Sequence, residues 1–230
     1  MKPIKLSQFP EDTYIFIKTN KRKEIFDKLE KKLKFLTRSK SIDSGALYDW
    51  RLGFMIRKSN KKVKRYIPLP KLKIICQEIN IDIDNLQPYI KEIKTSSRSG
   101  VIRDPKLPLK VTPNMFSLLG HFIGDGYGGE IGRSVYTNTS KEARDNFIKK
   151  LREVFGNVEY STNQNHPNYV SVSKIVPKIL KKYFEIDDFR NGKPRITENI
   201  YKAPKKYIIE FVKAIIIDEG SVRDEGLEVG

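Results

Sequence analysis

Apolar residues fall along this chain in short periodic runs, and their spacing predicts most of the elements. Residues 13–18 (TYIFIK) are β-branched and aromatic, which predicts a strand. From Lys21 to about Leu36, Ile25, Phe26, Leu29, Leu33 and Leu36 recur at three- and four-residue steps with lysines opposite, the pattern of an amphipathic helix. The turn TRSKSID leads to a short helix over 44–52 (SGALYDWRL), capped by Asp43 or Ser44. Residues 54–67 alternate and are basic, predicting a β-hairpin around Ser59-Asn60. Pro68 and Pro70 then introduce a helix that ends near Asn80.

Residues 95–111 (TSSRSGVIRDPKLPLKV) have no helical period and read as a linker, so the boundaries fall at 1–95, 96–111, 112–200 and 201–230. Beyond the linker, 112–129 predicts a helix with Thr112 as N-cap and Pro113 in its first turn, closed by Gly126, Gly128 and Gly129. Residues 130–138 alternate as a strand. Ser140 caps an amphipathic helix over 141–156, ended by Gly156. Residues 157–163 and 167–174 read as a strand pair, 175–184 as a helix, and 204–222 as a last apolar helix starting at Pro204.

Two features of the 112–129 helix are foreign to an ordinary core helix. Gly120 and Gly124 lie four apart on one face, each costing about 1 kcal/mol relative to alanine, and glycines on one face let another backbone approach closely. Asp125 sits at the C-terminal end, where the helix dipole opposes a carboxylate, so a divalent cation is its natural companion. The last helix repeats the design with Glu219 directly before Gly220.

Charge adds a partner to this picture. The chain of 230 residues carries a formal net charge of +17, which points to a polyanion, most simply nucleic acid. The excess is concentrated: residues 1–100 hold 24 Lys and Arg against 11 acids, residues 101–230 hold 21 against 17. No apolar run approaches a membrane span, and the N-terminus lacks a signal-peptide core, so the expected setting is the cytoplasm, beside the nucleoid. Cys76 is the single cysteine, which excludes an internal disulfide and a cysteine zinc site, and His121 and His166 are the only histidines, which argues against a histidine-rich metal site. His121, mid-helix among apolar residues, reads as a packed histidine.

LLGHFIGDG (118–126) and VKAIIIDEG (212–220) together resemble the signature of the LAGLIDADG homing-endonuclease family. In the first, Leu118, Gly120, Asp125 and Gly126 fit and Ile123 replaces a non-catalytic acid. In the second, Ala214 replaces the glycine and Glu219 the aspartate, while Gly220 is retained. The resemblance implies an α+β fold, an αββαββα unit plus a second signature helix, preceded here by a small mainly helical domain. It also implies site-specific hydrolysis of double-stranded DNA, in the service of intron or intein mobility, with Mg²⁺ as cofactor. Asp125 and Glu219 would be the metal ligands and catalytic acids, with Gly124 and Asp218 beside them completing the shell through backbone carbonyls. The helices would pack along Gly120, Gly124 and Ala214. Lys174 matches a lysine that organises the attacking water. The DNA-reading sheet would present Arg133, Tyr136, Asn138, Tyr160, Asn163, Tyr169, Ser171 and Ser173.

Residues 1–95, with helix, turn, short helix, basic wing and another helix, resemble the helix-turn-helix domains of repressor-like regulators. That comparison makes 44–52 the reading helix, offering Tyr48, Asp49 and Arg51 to base edges, with Arg57, Lys61, Lys62, Lys64 and Arg65 on phosphates. Only ten residues follow Gly220, whereas a complete two-motif enzyme has a second sheet there. The expectation is a half saddle, completed by a second polypeptide or a homodimer, or else a truncated or inactive product. The alternative function is a non-cleaving DNA-binding regulator or a maturase-like splicing protein that keeps the fold.

Overall fold

A computed structural model describes residues 1–30, 44–56, 61–95, 100–127, 134–187, 189, 196–223 and 226–229. In chain order, β1 (Tyr14–Ile17) leads into α1 (Thr19–Glu30), and α2 (Ser44–Leu52) into the hairpin of β2 (Phe54–Ile56) and β3 (Lys62–Lys64). β4 (Ile67–Pro68), α3 (Leu69–Glu78), a 3-10 helix (Ile83–Tyr89), β5 (Ile90–Lys94) and β6 (Ile102–Arg103) follow. Then come α4 (Pro113–Ile123), β7 (Gly126–Tyr127), β8 (Ser134–Thr137), α5 (Lys141–Phe155), β9 (Asn157–Val158), β10 (Tyr160–Asn163) and β11 (His166–Val172). The chain continues through α6 (Ile175–Phe184), α7 (Glu198–Tyr201), α8 (Lys205–Glu219), β12 (Gly220–Arg223) and β13 (Gly226–Val229). This is a mixed α+β protein with antiparallel sheets. Among the described residues no helix is long and apolar enough to cross a membrane.

Most predicted elements are present within one or two residues of their expected ends. The predicted continuation of the first helix to Leu36, the turn at Ser59-Asn60 and Arg57 all lie outside the described residues. Thr112 caps α4 by accepting from the Met115 N–H, and Ser140 caps α5 by accepting from Ala143. Gly156 ends α5 at φ +100°, where a side chain is strained.

Two larger sheets carry the architecture, one ordered β4-β1-β5-β6-β9 and the other β10-β11-β8-β7. They are joined by residues 157–163, whose first part pairs with β6 and whose second part pairs with β11. Between the parts, the Glu159 N–H donates to the Val101 carbonyl at 2.9 Å. The expected free linker is corrected here. Residues 102 and 103 form β6 inside the first sheet, Ile102 and Leu109 are fully buried, and Leu109 bridges Ile4. A two-residue strand between a serine run and two prolines is too short to show as periodicity. Its packing partners, β5 and β9, come from both sides of the supposed boundary.

α4 lies at the centre of the core, with every residue from Met115 to Phe122 buried. It packs against α8, α5 and α6. Phe116 meets Phe184 of α6 edge-on at 4.9 Å and Tyr207 of α8 at 5.3 Å. Such pairs add about 1 kcal/mol each beyond their buried area.

In the first part of the chain, the buried Arg22 ties the elements together. Its guanidinium donates to the Ile17 carbonyl at 2.9 Å and to the Leu52 and Arg51 carbonyls at 3.0 and 3.2 Å. It thereby satisfies carbonyls that α2 leaves open at its C-terminus and meets the negative end of that helix dipole. Gly53, at φ +79°, leaves room for it, since a Cβ there would lie 2.4 Å from Arg22 Cζ. Arg22→Ala, which strands these carbonyls, is expected to cost about 3 kcal/mol in urea unfolding. Arg22→Lys, with a single ammonium, should recover less than half of that.

Candidate functional site

The crossing of α4 and α8 is set by residue size. A Cβ added to Gly120 would lie 2.5 Å from the Phe211 carbonyl oxygen and 2.8 Å from Ala214 Cβ. A Cβ on Gly124 would lie 2.9 Å from Asp218 Cβ. The two backbones therefore touch at the positions expected from the sequence, Gly120, Gly124 and Ala214. Asp125 and Glu219 are the next residues after the Gly124–Asp218 contact, so the crossing delivers both acids to one end of the helix pair. Each is followed by a glycine that opens a strand, β7 after Asp125 and β12 after Glu219.

Electrostatics agree with that placement. The Asp125 carboxyl is pushed up to about 6, first by burial and then by the neighbouring charges of Asp218 and Glu219. Glu219 is exposed. The Asp218 side chain is fully buried and held at both oxygens. His121 Nδ1 donates to its Oδ2 at 2.9 Å, while the Tyr136 hydroxyl donates to Oδ1 at 2.7 Å and Asn138 Nδ2 at 3.2 Å. Burial and the Asp218 carboxylate raise the Tyr136 phenol far above its usual range, so it remains a donor. His121 is thus the packed histidine expected, and its Nε2 has no hydrogen-bond partner among the described residues.

This network is what the sequence reading missed, and it corrects one assignment. The Asp218 side chain is engaged inside the protein, which does not touch the role expected of its backbone carbonyl. Tyr136 was expected on an outward DNA-reading face. It is fully buried and stacks on Phe147 at 4.2 Å, because the alternation of β8 turns Ser134 and Tyr136 inward and Val135 and Thr137 outward. A signal was available: one histidine in an apolar helix and one extra acid in another, each without a local partner, imply one another.

Other expected DNA contacts divide similarly. Register pairs Tyr169 with Thr137 and Ser171 with Val135, so Tyr169 and Ser171 share the outward face. Tyr160 pairs with the buried Val172 and lies under the Arg152 guanidinium at 5.2 Å, on the helix side of the sheet. Ser173 is buried and donates to the Gly100 carbonyl. Lys174, matched to a lysine that organises water, is also buried, at the N-cap of α6. Arg133 and the side chain of Asn163 lie outside the described residues.

In α2, Tyr48 is 64% exposed and free to meet a ligand. Arg51 instead pairs with Asp27 and Glu30 of α1, and Asp49 pairs with Arg65. Lys64 donates to the buried Glu92. Lys62 lies 5.0 Å over the Phe54 ring and, with Lys61, remains exposed.

The donor set at the crossing suits a hard cation. Asp125 and Glu219 offer carboxylate oxygens, and Asp125, desolvated among like charges, gains most when a cation enters. Among the described residues no three His, Cys, Asp or Glu side chains form a metal-holding group. Mg²⁺ is commonly held by one or two carboxylates, with water and phosphate oxygens filling its remaining positions. Neither the protein-family models nor the curated proteins compared with this chain give a match.

Proposed function

We propose that the protein is a LAGLIDADG-type, Mg²⁺-dependent endonuclease acting on double-stranded DNA. The observation that carries this reading is the glycine-lined crossing of α4 and α8, which brings Asp125 and Glu219 to one end of the helix pair beside the sheet β10-β11-β8-β7. The order α4, β7, β8, α5, β10, β11, α6 supports the αββαββα unit, with β9 diverted into the other sheet. The basic first hundred residues supply phosphate attraction, and Tyr169, Ser171 and Thr137 give the sheet an outward polar face.

A bound Mg²⁺ would stabilise charge on the scissile phosphate and lower the pKa of an attacking water. Asp125 and Glu219 would hold it, one acid from each helix. The close approach at Gly120 and Gly124 keeps the acids from spreading apart, and the Asp218 carboxylate supplies negative field without occupying a coordination position. The exposed apolar residues of α8, Ile209, Val212 and Ile217, offer a face for a second polypeptide or a second copy completing the saddle.

The second reading is a non-cleaving DNA-binding protein of the same fold. The pairing of Arg51 with Asp27 and Glu30 takes a cation of α2 away from the reading role, and that of Arg65 with Asp49 takes one from the phosphate contacts, but neither bears on cleavage. Metal titration separates the two functions. Thermal unfolding at rising Mg²⁺ or Ca²⁺ is expected to show stabilisation of about 2.7 kcal/mol at a hundredfold excess over Kd. The effect should vanish in Asp125→Asn and in Glu219→Gln. An equal metal response in all three proteins would overturn the nuclease reading.

A further inference from the structure

Asn138 was expected among the DNA contacts, but its side chain points into the acid cluster. Its Nδ2 lies 3.2 Å from Asp218 Oδ1 and 3.5 Å from Asp125 Oδ2. Its Oδ1 accepts the Ser140 N–H at 2.9 Å, at the start of α5. That bond fixes the amide orientation: the oxygen must face Ser140, so both N–H donors face the two carboxylates. Its carbonyl is held as well, by the Arg144 guanidinium. The Asp125 backbone joins the same unit through its carbonyl, which accepts from the Thr137 N–H at 3.2 Å.

We infer that Asn138 is a positioning residue: braced on Asp218 and on the cap of α5, it aims the Asp125 carboxylate. The inference rests on the reading of Asp125 as a metal-holding acid and adds how that acid is oriented. Asp218 is the anchor. Its four hydrogen-bonding directions are largely taken by His121, Tyr136 and Asn138, so it cannot swing toward Asp125. Asparagine is the residue type the place demands, because it donates to two carboxylates while accepting from a backbone N–H. Aspartate would put a third negative group there, and alanine would leave the Asp125 oxygen with no fixed donor. Partners of this kind typically account for about 10- to 100-fold in metal affinity.

The test uses the full chain in two measurements. In the metal-free protein, ¹⁵N NMR should show the Asn138 side-chain NH₂ shifted and protected from solvent exchange, with protection of the N–H facing Asp125 lost in Asp125→Ala while the N–H held by Asp218 stays protected. Exchange at the rate of a free asparagine overturns the proposal whether or not metal binds. In calorimetric titration with Mg²⁺ or Ca²⁺, Asn138→Ala should weaken binding about 10- to 100-fold. Its affinity for duplex DNA in chelator should stay near wild type, with titration carried out below its lowered melting temperature. Unchanged metal affinity with weakened DNA binding would return Asn138 to a DNA contact and overturn the proposal. A protected amide in a wild-type protein that binds neither ion would leave Asn138 positioning Asp125 and remove the nuclease reading instead.

Discussion

Asp125→Asn is expected to lower cleavage of duplex DNA at least about a thousandfold while leaving DNA affinity in chelator unchanged. The size follows from removing one of two anionic ligands where negative charge develops on the phosphate; losing even a neutral stabilising donor costs about a hundred- to a thousandfold. The same variant should do the opposite to stability. In the folded protein Asp125 takes up its proton near pH 6, against an ordinary value of 3.8. Its contribution is therefore fully present below about pH 4 and is lost as the pH rises through about 6. Asparagine never ionises. Without metal at pH 7.5, Asp125→Asn should be more stable than wild type by about 1 kcal/mol, the full shift being discounted for the group's partial exposure. Urea unfolding at pH 4.5 and 7.5 checks this, since the advantage should shrink at the lower pH. A variant that is inactive, still binds DNA and is more stable can be explained by a displaced charge and not by misfolding.

Gly120 gives the second large effect. Helix propensity alone says that Gly120→Ala should stabilise α4 by about 1 kcal/mol. The crossing says otherwise, because the new Cβ would stand 2.5 Å from the Phe211 carbonyl oxygen, a backbone atom that cannot turn aside. We expect Gly120→Ala to destabilise by about 2 kcal/mol and Gly120→Val by about 4 kcal/mol, with the helices forced apart. In denaturant unfolding, a stabilised alanine variant would show that the helices do not touch there. Spreading the crossing also separates Asp125 from Glu219, so the alanine variant should bind metal more weakly even at temperatures where it stays folded.

Much of this arrangement was legible in the chain because it depends on local rules. The caps Thr112 and Ser140, the stop at Gly156, the strand alternation and the small residues of α4 and α8 each announce themselves within a few positions. Long-range pairings were hidden. β6 and β7 are two residues long and become strands only because β5, β9 and β8 supply their hydrogen bonds. The inward turn of Tyr136 and Tyr160 follows from sheet register, which alternation alone does not fix when both faces carry polar and aromatic residues. The cluster of Asp218, His121, Tyr136 and Asn138 joins residues up to 97 positions apart, and its members look unremarkable singly. Three of the cations expected on DNA, Arg51, Lys64 and Arg65, were read by charge alone. Their acidic partners lie in other elements.

From Asn157 to Asn163 a single stretch of chain serves both of the larger sheets. One uninterrupted backbone serves as an edge in the first sheet and again in the second, so neither half can swivel about a hinge at that point. The offset between the two sheets is therefore graduated at about 3.3 Å per residue of this run. Lengthening it by a single amino acid at Glu159 would move the far half by one graduation and reverse which side chains of the following strand face outward.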